Sequence, residues 1–366
     1  MKAAIYYGPG DIRIEEIKDP RANPEGAVVK IKACGVCPII DLKAWISWPA
    51  NGQGVGLACG HEWSGELVEV GSQVSDFKVG DRVYVEPVFR PCHRCDSCLR
   101  GDYWRCSNWS EGTGVHGGFA EYIWLPFLSN DGVIKLPETL SYRDLTMIEP
   151  LGLASALAKK AKTSDVVVVI GQELIGLGTV AFLKKMGVAK VIASDVSPKR
   201  LEASREIGAD VVVDELNEDI VRVVRKETAG RGADVVIQAE HSPITLLESI
   251  GAVRRGGRVW LAGAYSMPLA LDPSVSTSTR YAVGADWHGY IEPPLTFDPS
   301  LLYMRSTWGT CGPRIPRWLE VIELLQSGKI TAAKHITHVF PLEKTKEAFN
   351  TALNSSDVIR ALVEIR

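Results

Sequence analysis

Apolar residues in the first 150 positions fall in short alternating runs. GAVVKIKACGV (26–36), SGELVEVGSQV (64–74) and GDRVYVEP (80–87) are bounded by Gly, Pro or Ser, the rhythm of a β-rich module whose polar chemistry sits in loops. The period changes near residue 151. LGLASALAKKAK (151–162) predicts a helix, and VVVVI (166–170) opens a series of apolar runs: KVIAS (190–194), DVVVD (210–214), ADVVIQ (233–238) and GRVWLAG (257–263). Helical segments are predicted between them at GTVAFLKKMG (178–187), PKRLEASREIG (198–208) and EDIVRVVRKETAG (218–230). Strands apolar on both faces and separated by helices predict a parallel sheet. PRWLEVIELLQSGK (316–329) predicts an amphipathic helix, and DVIRALVEIR (357–366) a closing strand.

The pattern predicts an α/β protein of two domains: a β-rich domain over residues 1–154, a doubly wound parallel-sheet domain over 155–310, and a return to the first domain over 311–366. A chain of 366 residues exceeds what one hydrophobic core usually organises. The net charge of −3, with Lys and Arg spread among Asp and Glu, gives no footprint for a phosphate backbone, so nucleic acid is not an expected partner. The start alternates like a strand and lacks a basic region followed by an apolar stretch, and no segment approaches the roughly 18 apolar residues of a membrane span. A cytoplasmic protein without membrane contact is expected. Four of the eight cysteines crowd between Cys92 and Cys106, and in a chain without a secretory signal metal thiolates are a better reading than disulfides.

Cys92, Cys95, Cys98 and Cys106 form C-x2-C-x2-C-x7-C, a spacing that wraps one tetrahedral Zn²⁺ as a closed structural site. An iron–sulfur cluster is the chemical rival, and it fits the fourth ligand less well. His93 reads as a loop residue, and Cys34, Cys59 and Cys311 as small apolar side chains. A second donor set comes from separate places. Cys37 follows a strand-like run, His61 and Glu62 precede another, and Glu149 falls where the two domains meet. Thiolate, imidazole and carboxylate suffice for a catalytic zinc that retains an exchangeable position.

GHEWSGELVEVG (60–71), the four-cysteine cluster, GGFAEY (117–122), E-P-L (149–151) and the following strand, glycine and helix resemble the zinc-containing medium-chain dehydrogenases, in the style of the sorbitol, butanediol and glucose dehydrogenase branch. The resemblance spans essentially the whole chain. It implies a GroES-like catalytic domain with a Rossmann domain, and two zinc ions and NAD per chain. It also implies a homodimer or homotetramer, and hydride transfer between a small secondary alcohol, polyol or cyclic alcohol and NAD. By the same resemblance the catalytic zinc falls to Cys37, His61 and one or both of Glu62 and Glu149, and the structural zinc to Cys92, Cys95, Cys98 and Cys106.

The phosphate-binding turn is irregular. G171-Q-E-L-I-G176 keeps the first and third glycines of G-x-G-x-x-G, but Glu173 occupies the middle position and brings bulk and negative charge where two phosphates are expected. Its context supports a cofactor site at Gly171, Leu174, Ile175 and Gly176. VVVVI precedes, a helix follows, and Asp195 ends the next strand where a carboxylate takes the ribose hydroxyls of NAD and repels the extra phosphate of NADP. Arg200 resembles the family's ribose-side arginine. A second irregularity is C37-P-I-I-D41, in which Ile39 and Ile40 stand where the family carries a proton-relaying hydroxyl; Lys43, Glu62 and His116 are the alternatives. Trp45, Trp48, His116 and Phe119 are candidate pocket residues, and the stretch 264–300 is long for the family. Two rival readings remain at this stage. One is a zinc enzyme that recycles bound NAD in a lyase- or epimerase-like reaction, and the other a non-catalytic relative with a degraded cofactor site.

Overall fold

The computed structural model describes residues 1–38, 41–42, 57–58, 60–85, 96–99, 117–125, 128, 133–240, 242–262, 282–285 and 314–366. The chain forms two compact units, Met1–Glu149 with Pro313–Arg366, and Pro150–Gly312. The first unit opens with β1 (Lys2–Gly8) and β2 (Asp11–Glu16), then β3 (Ala27–Gly35), β4 (Leu57–Ala58), β5 (Glu62–Val70), β6 (Arg82–Val85), β7 (Tyr122–Leu125) and β8 (Val133–Lys135). β3 and β5 are the alternating runs read from sequence, and they pair antiparallel along nearly their whole length. Their inward residues, with Phe119 and Phe349, build one core that includes Ile31, Trp63 and Leu67.

The second unit carries a six-stranded sheet: β9 (Val166–Ile170), β10 (Lys190–Asp195), β11 (Val211–Asp214), β12 (Ala233–Gln238), β13 (Val253–Leu261) and β14 (Ala282–Ala285). All its ladders are parallel, in the order β11-β10-β9-β12-β13-β14. That is the doubly wound nucleotide-binding order, with its switch point between β9 and β12. Helices α1 (Leu174–Lys185), α2 (Pro198–Ile207), α3 (Ile220–Glu227) and α4 (Pro243–Ala252) connect the strands. Local chemistry starts three of them, since the side chains of Ser197, Asp219 and Ser242 cap α2, α3 and α4. Val168, Ile170, Ile192, Val213, Val236 and Val259 fill this sheet's core, which is why its strands read as continuous apolar runs. β13 begins directly after α4, four residues before the expected strand, because its ladder with β12 runs through an irregularity around Gly256 and Gly257.

The chain then returns to the first unit through the helices Arg314–Gln326 and Thr345–Asn354 and the strands β15 (His338–Pro341) and β16 (Ala361–Glu364). β16 pairs antiparallel with β3, completing the order β15-β16-β3-β5-β6-β8 with β7 also on β3. The last residues of the chain thus lie beside the loop that carries Cys37. No helix among the described residues is long and apolar enough to cross a membrane.

Candidate functional site

Cys37 stands two residues beyond β3, and its backbone N–H donates to Asp41 Oδ2 at 2.9 Å. His61 and Glu62 lie at the head of β5, directly after Gly60, whose φ of +95° suits glycine. Gly60 also has to lack a side chain, because a Cβ there would meet the Phe119 ring at 2.7 Å. One ligand atom from each of Cys37, His61 and Glu62 lies within 4.8 Å of the others. All three side chains are buried.

The surroundings are anionic. Asp41 Oδ1 lies 3.7 Å from His61 Nδ1, and Glu62 Oε1 lies 3.8 Å from Nε2. Burial pulls the His61 pKa down, but the carboxylates of Asp41 and Glu149 outweigh it and leave the imidazole above its ordinary value. Glu149 sits half-buried in the first turn of the helix Ile148–Ala158, within electrostatic reach of His61. The four expected residues are therefore brought to one region, three of them within touching distance of a shared point. Thiol, imidazole and carboxylate, buried together, are donors of the kinds that can hold a divalent metal ion.

The residue missed in the sequence is Arg360. It is 3% exposed and its Nη2 pairs with Oε2 of Glu62, which is 1% exposed. Gly35 makes room for this pair, since a Cβ there would meet Arg360 Nη2 at 2.5 Å and Glu62 Oε2 at 2.7 Å. Burial pulls the guanidinium down from its ordinary value, against Cys37, Asp41 and Cys34, which pull it up. The signal was Arg360 in DVIRALVEIR: a cation set among apolar residues is seldom buried without a partner.

The cofactor candidates gather at the carboxyl ends of β9 and β10. Gly171, at φ +87°, turns the chain from β9, and its N–H donates to Ser194 O at 2.9 Å. A Cβ on Gly176 would stand 1.9 Å from Gly171 O, so strand and helix approach as closely as a pyrophosphate cradle requires. Leu174 and Ile175 open α1, whose N-cap Glu173 makes no side-chain capping bond. Asp195 is fixed by two backbone donors, Gln172 N at 2.7 Å and Ser197 N at 2.8 Å. Sequence pointed the Glu173 charge at the phosphates. Its carboxylate turns instead to Arg200 Nη2 at 2.9 Å, which draws the charge toward α2.

Phe119 is fully buried in the core of the first unit, its ring edge-on to Phe349 at 5.4 Å, so its surface is taken up by packing and not by an open pocket wall. Trp45, Trp48, His116, Lys43, Ile39, Ile40, Cys92, Cys95 and Cys106 lie outside the described residues. Cys98 falls on the helical turn Asp96–Leu99, with its side chain outside the description, and of 264–300 only β14 is described.

Residues 23–138 match the family model for the alcohol dehydrogenase GroES-like domain, and residues 175–302 that for zinc-binding dehydrogenase. The chain is 30% identical to sorbitol dehydrogenase of Bacillus subtilis over 362 residues, covering 96% of this chain and 94% of that one. It is 31% identical to L-threonine 3-dehydrogenase of Symbiobacterium thermophilum over 348 residues, covering 94% and 92%. Among solved structures, the 2R,3R-butanediol dehydrogenase of Bacillus subtilis superposes with a TM-score of 0.76 at 26% identity, covering 99% of each chain.

Proposed function

The chain belongs to the zinc-type medium-chain alcohol dehydrogenases, and from that premise we propose that Cys37, His61, Glu62 and Glu149 form the catalytic zinc site of an NAD-dependent alcohol or polyol dehydrogenase. The observation that carries the assignment is the buried meeting of thiol, imidazole and carboxylate within 4.8 Å. When bound, zinc supplies Lewis acidity at a substrate oxygen and NAD accepts or returns the hydride.

The protein's own groups prepare that chemistry. Arg360 brings a buried guanidinium within electrostatic reach of Cys37 and Asp41. Asp41, 3.7 Å from Nδ1, biases the His61 ring toward offering Nε2. Arg360 also holds the Glu62 carboxylate, so Glu62 divides its charge between the guanidinium and the metal site. In the second unit the Gly171–Gly176 turn would hold the pyrophosphate of NAD and Asp195 its ribose hydroxyls.

Cys92, Cys95, Cys98 and Cys106 are proposed as the structural zinc site on their spacing. The relatives named for sorbitol and butanediol support a polyol or secondary alcohol as substrate. The resemblance supports a cytoplasmic homodimer or homotetramer, which sedimentation velocity checks. Elemental analysis should find two zinc ions per chain; a single zinc, or iron, refutes the assignment. A panel of alcohols and polyols read by NADH absorbance tests the reaction. His61→Ala should abolish turnover with the fold retained, and near-normal activity in that variant would place the site elsewhere.

A further inference from the structure

Glu173 occupies the middle position of the glycine turn between β9 and α1. It stands at the N-cap of α1 and makes no side-chain capping bond. Arg200 Nη2 donates to its Oε1 at 2.9 Å, and Nη1 of the same guanidinium lies 3.6 Å from Asp195 Oδ2. The side chains of Glu173, Arg200 and Asp195 are 24%, 12% and 4% exposed. One cation is therefore held by two carboxylates with little water between them, and the group carries a net negative charge.

Resting on the nucleotide reading of this turn given above, we propose that Glu173 is a specificity-determining residue for the nucleotide. By holding the Arg200 guanidinium together with Asp195, it denies a 2′-phosphate its cationic partner. NADP is excluded twice, once by the Asp195 charge and once by the occupied arginine.

A 2′-phosphate adds nearly two negative charges to the ribose and is recognised best by a guanidinium fork, which offers paired N–H donors. Here the fork is directed at Glu173 and Asp195. With Asp195 removed, Arg200 remains engaged by Glu173, and the phosphate still meets an ionised carboxylate. With Glu173 neutral, the guanidinium is released to turn toward the ribose. NAD gains less from that release, because its ribose hydroxyls are uncharged and are taken by Asp195. The device is also reciprocal: the Arg200 charge keeps Glu173 away from the pyrophosphate at the start of α1, which is how a carboxylate is tolerated in the glycine position.

The test is equilibrium titration of NAD and of NADP, followed by calorimetry and so independent of turnover. It uses wild type, Glu173→Gln, Asp195→Ala, the double variant, and Glu173→Gln combined with Arg200→Ala. Gln keeps the size of Glu and removes only the charge. Glu173→Gln should improve NADP relative to NAD roughly tenfold, the scale of one hydrogen bond to a charged group. Asp195→Ala alone should weaken NAD while NADP stays the poorer ligand, and the double variant should bring the two nucleotides close to parity. Adding Arg200→Ala to Glu173→Gln should cancel the NADP gain. An unchanged ratio in Glu173→Gln, a gain that survives Arg200→Ala, or parity in Asp195→Ala alone overturns the proposal and leaves the nucleotide site standing. Wild type that binds neither nucleotide overturns the nucleotide reading, and the proposal with it.

Discussion

Arg360→Met removes the guanidinium that holds Glu62 while keeping an unbranched apolar stem of similar reach. Both partners are almost fully enclosed, at 3% and 1% exposure. The variant leaves the Glu62 carboxylate buried near Cys37 and Asp41 without its guanidinium partner. Breaking a buried pair from one side costs about 3–5 kcal/mol. For a unit of roughly 200 residues, at about 2–4 °C per kcal/mol, the midpoint should fall by about 6–20 °C. The loss should be largest in metal-stripped protein, because a divalent ion bound by Cys37, His61 and Glu62 replaces part of the missing positive charge. Arg360→Met/Glu62→Gln should recover most of it, since removing both charges leaves only an imperfectly paired amide. Thermal unfolding of wild type and both variants by circular dichroism, in chelator and in excess zinc, measures these differences. A single variant within about 1 kcal/mol of wild type, or a double variant no better than the single, would show that the pair does not hold the site in this way.

Gly176→Ala places a Cβ 1.9 Å from Gly171 O, which neither backbone can yield cheaply; a loss of about 2–3 kcal/mol in urea unfolding and of NAD binding by calorimetry is expected. Glu215, pushed up from 4.5 to about 7 by burial and by the nearby carboxylates of Glu248, Asp195 and Glu240, makes the second unit pH-sensitive. Its raised folded pKa means that its contribution is fully present below pH 4.5 and lost as pH rises through about 7. Glu215→Gln should flatten the stability curve across that window, and an unchanged slope in denaturant titrations at several pH values would refute it. Cys95→Ser should release one zinc by elemental analysis and lower the thermal midpoint, whereas His61→Ala should release the other with little change in midpoint.

Much of the candidate site was legible because its residues are neighbours in sequence or stand at recognisable turns. Gly60 to Glu62 precede an alternating strand, and Gly171 to Gly176 follow a run of four valines and an isoleucine. Asp195 was readable for the same reason, since a strand end is a local feature. Arg360 was not. Its partner Glu62 lies nearly the whole chain away, and the two meet only because β16 pairs with β3. Phe119 shows the opposite failure: an aromatic near a glycine pair looked like a pocket wall until packing against Phe349 enclosed it.

Sequence alone determined what short-range physics controls: the period-2 strands of the first unit, the apolar strands and capped helices of the second, and the close-packed glycines, and it named the candidate donors for metal and nucleotide. Tertiary structure decided what depends on long-range pairing and side-chain direction. It set the strand order β11-β10-β9-β12-β13-β14, the gathering of Cys37, His61 and Glu62 within 4.8 Å, and the turning of Glu173 to Arg200. Alternation fixes which face of a strand is buried, but it carries no record of which strand lies alongside. A carboxylate's role depends on the nearest cation, and that neighbour exists only once the chain has folded.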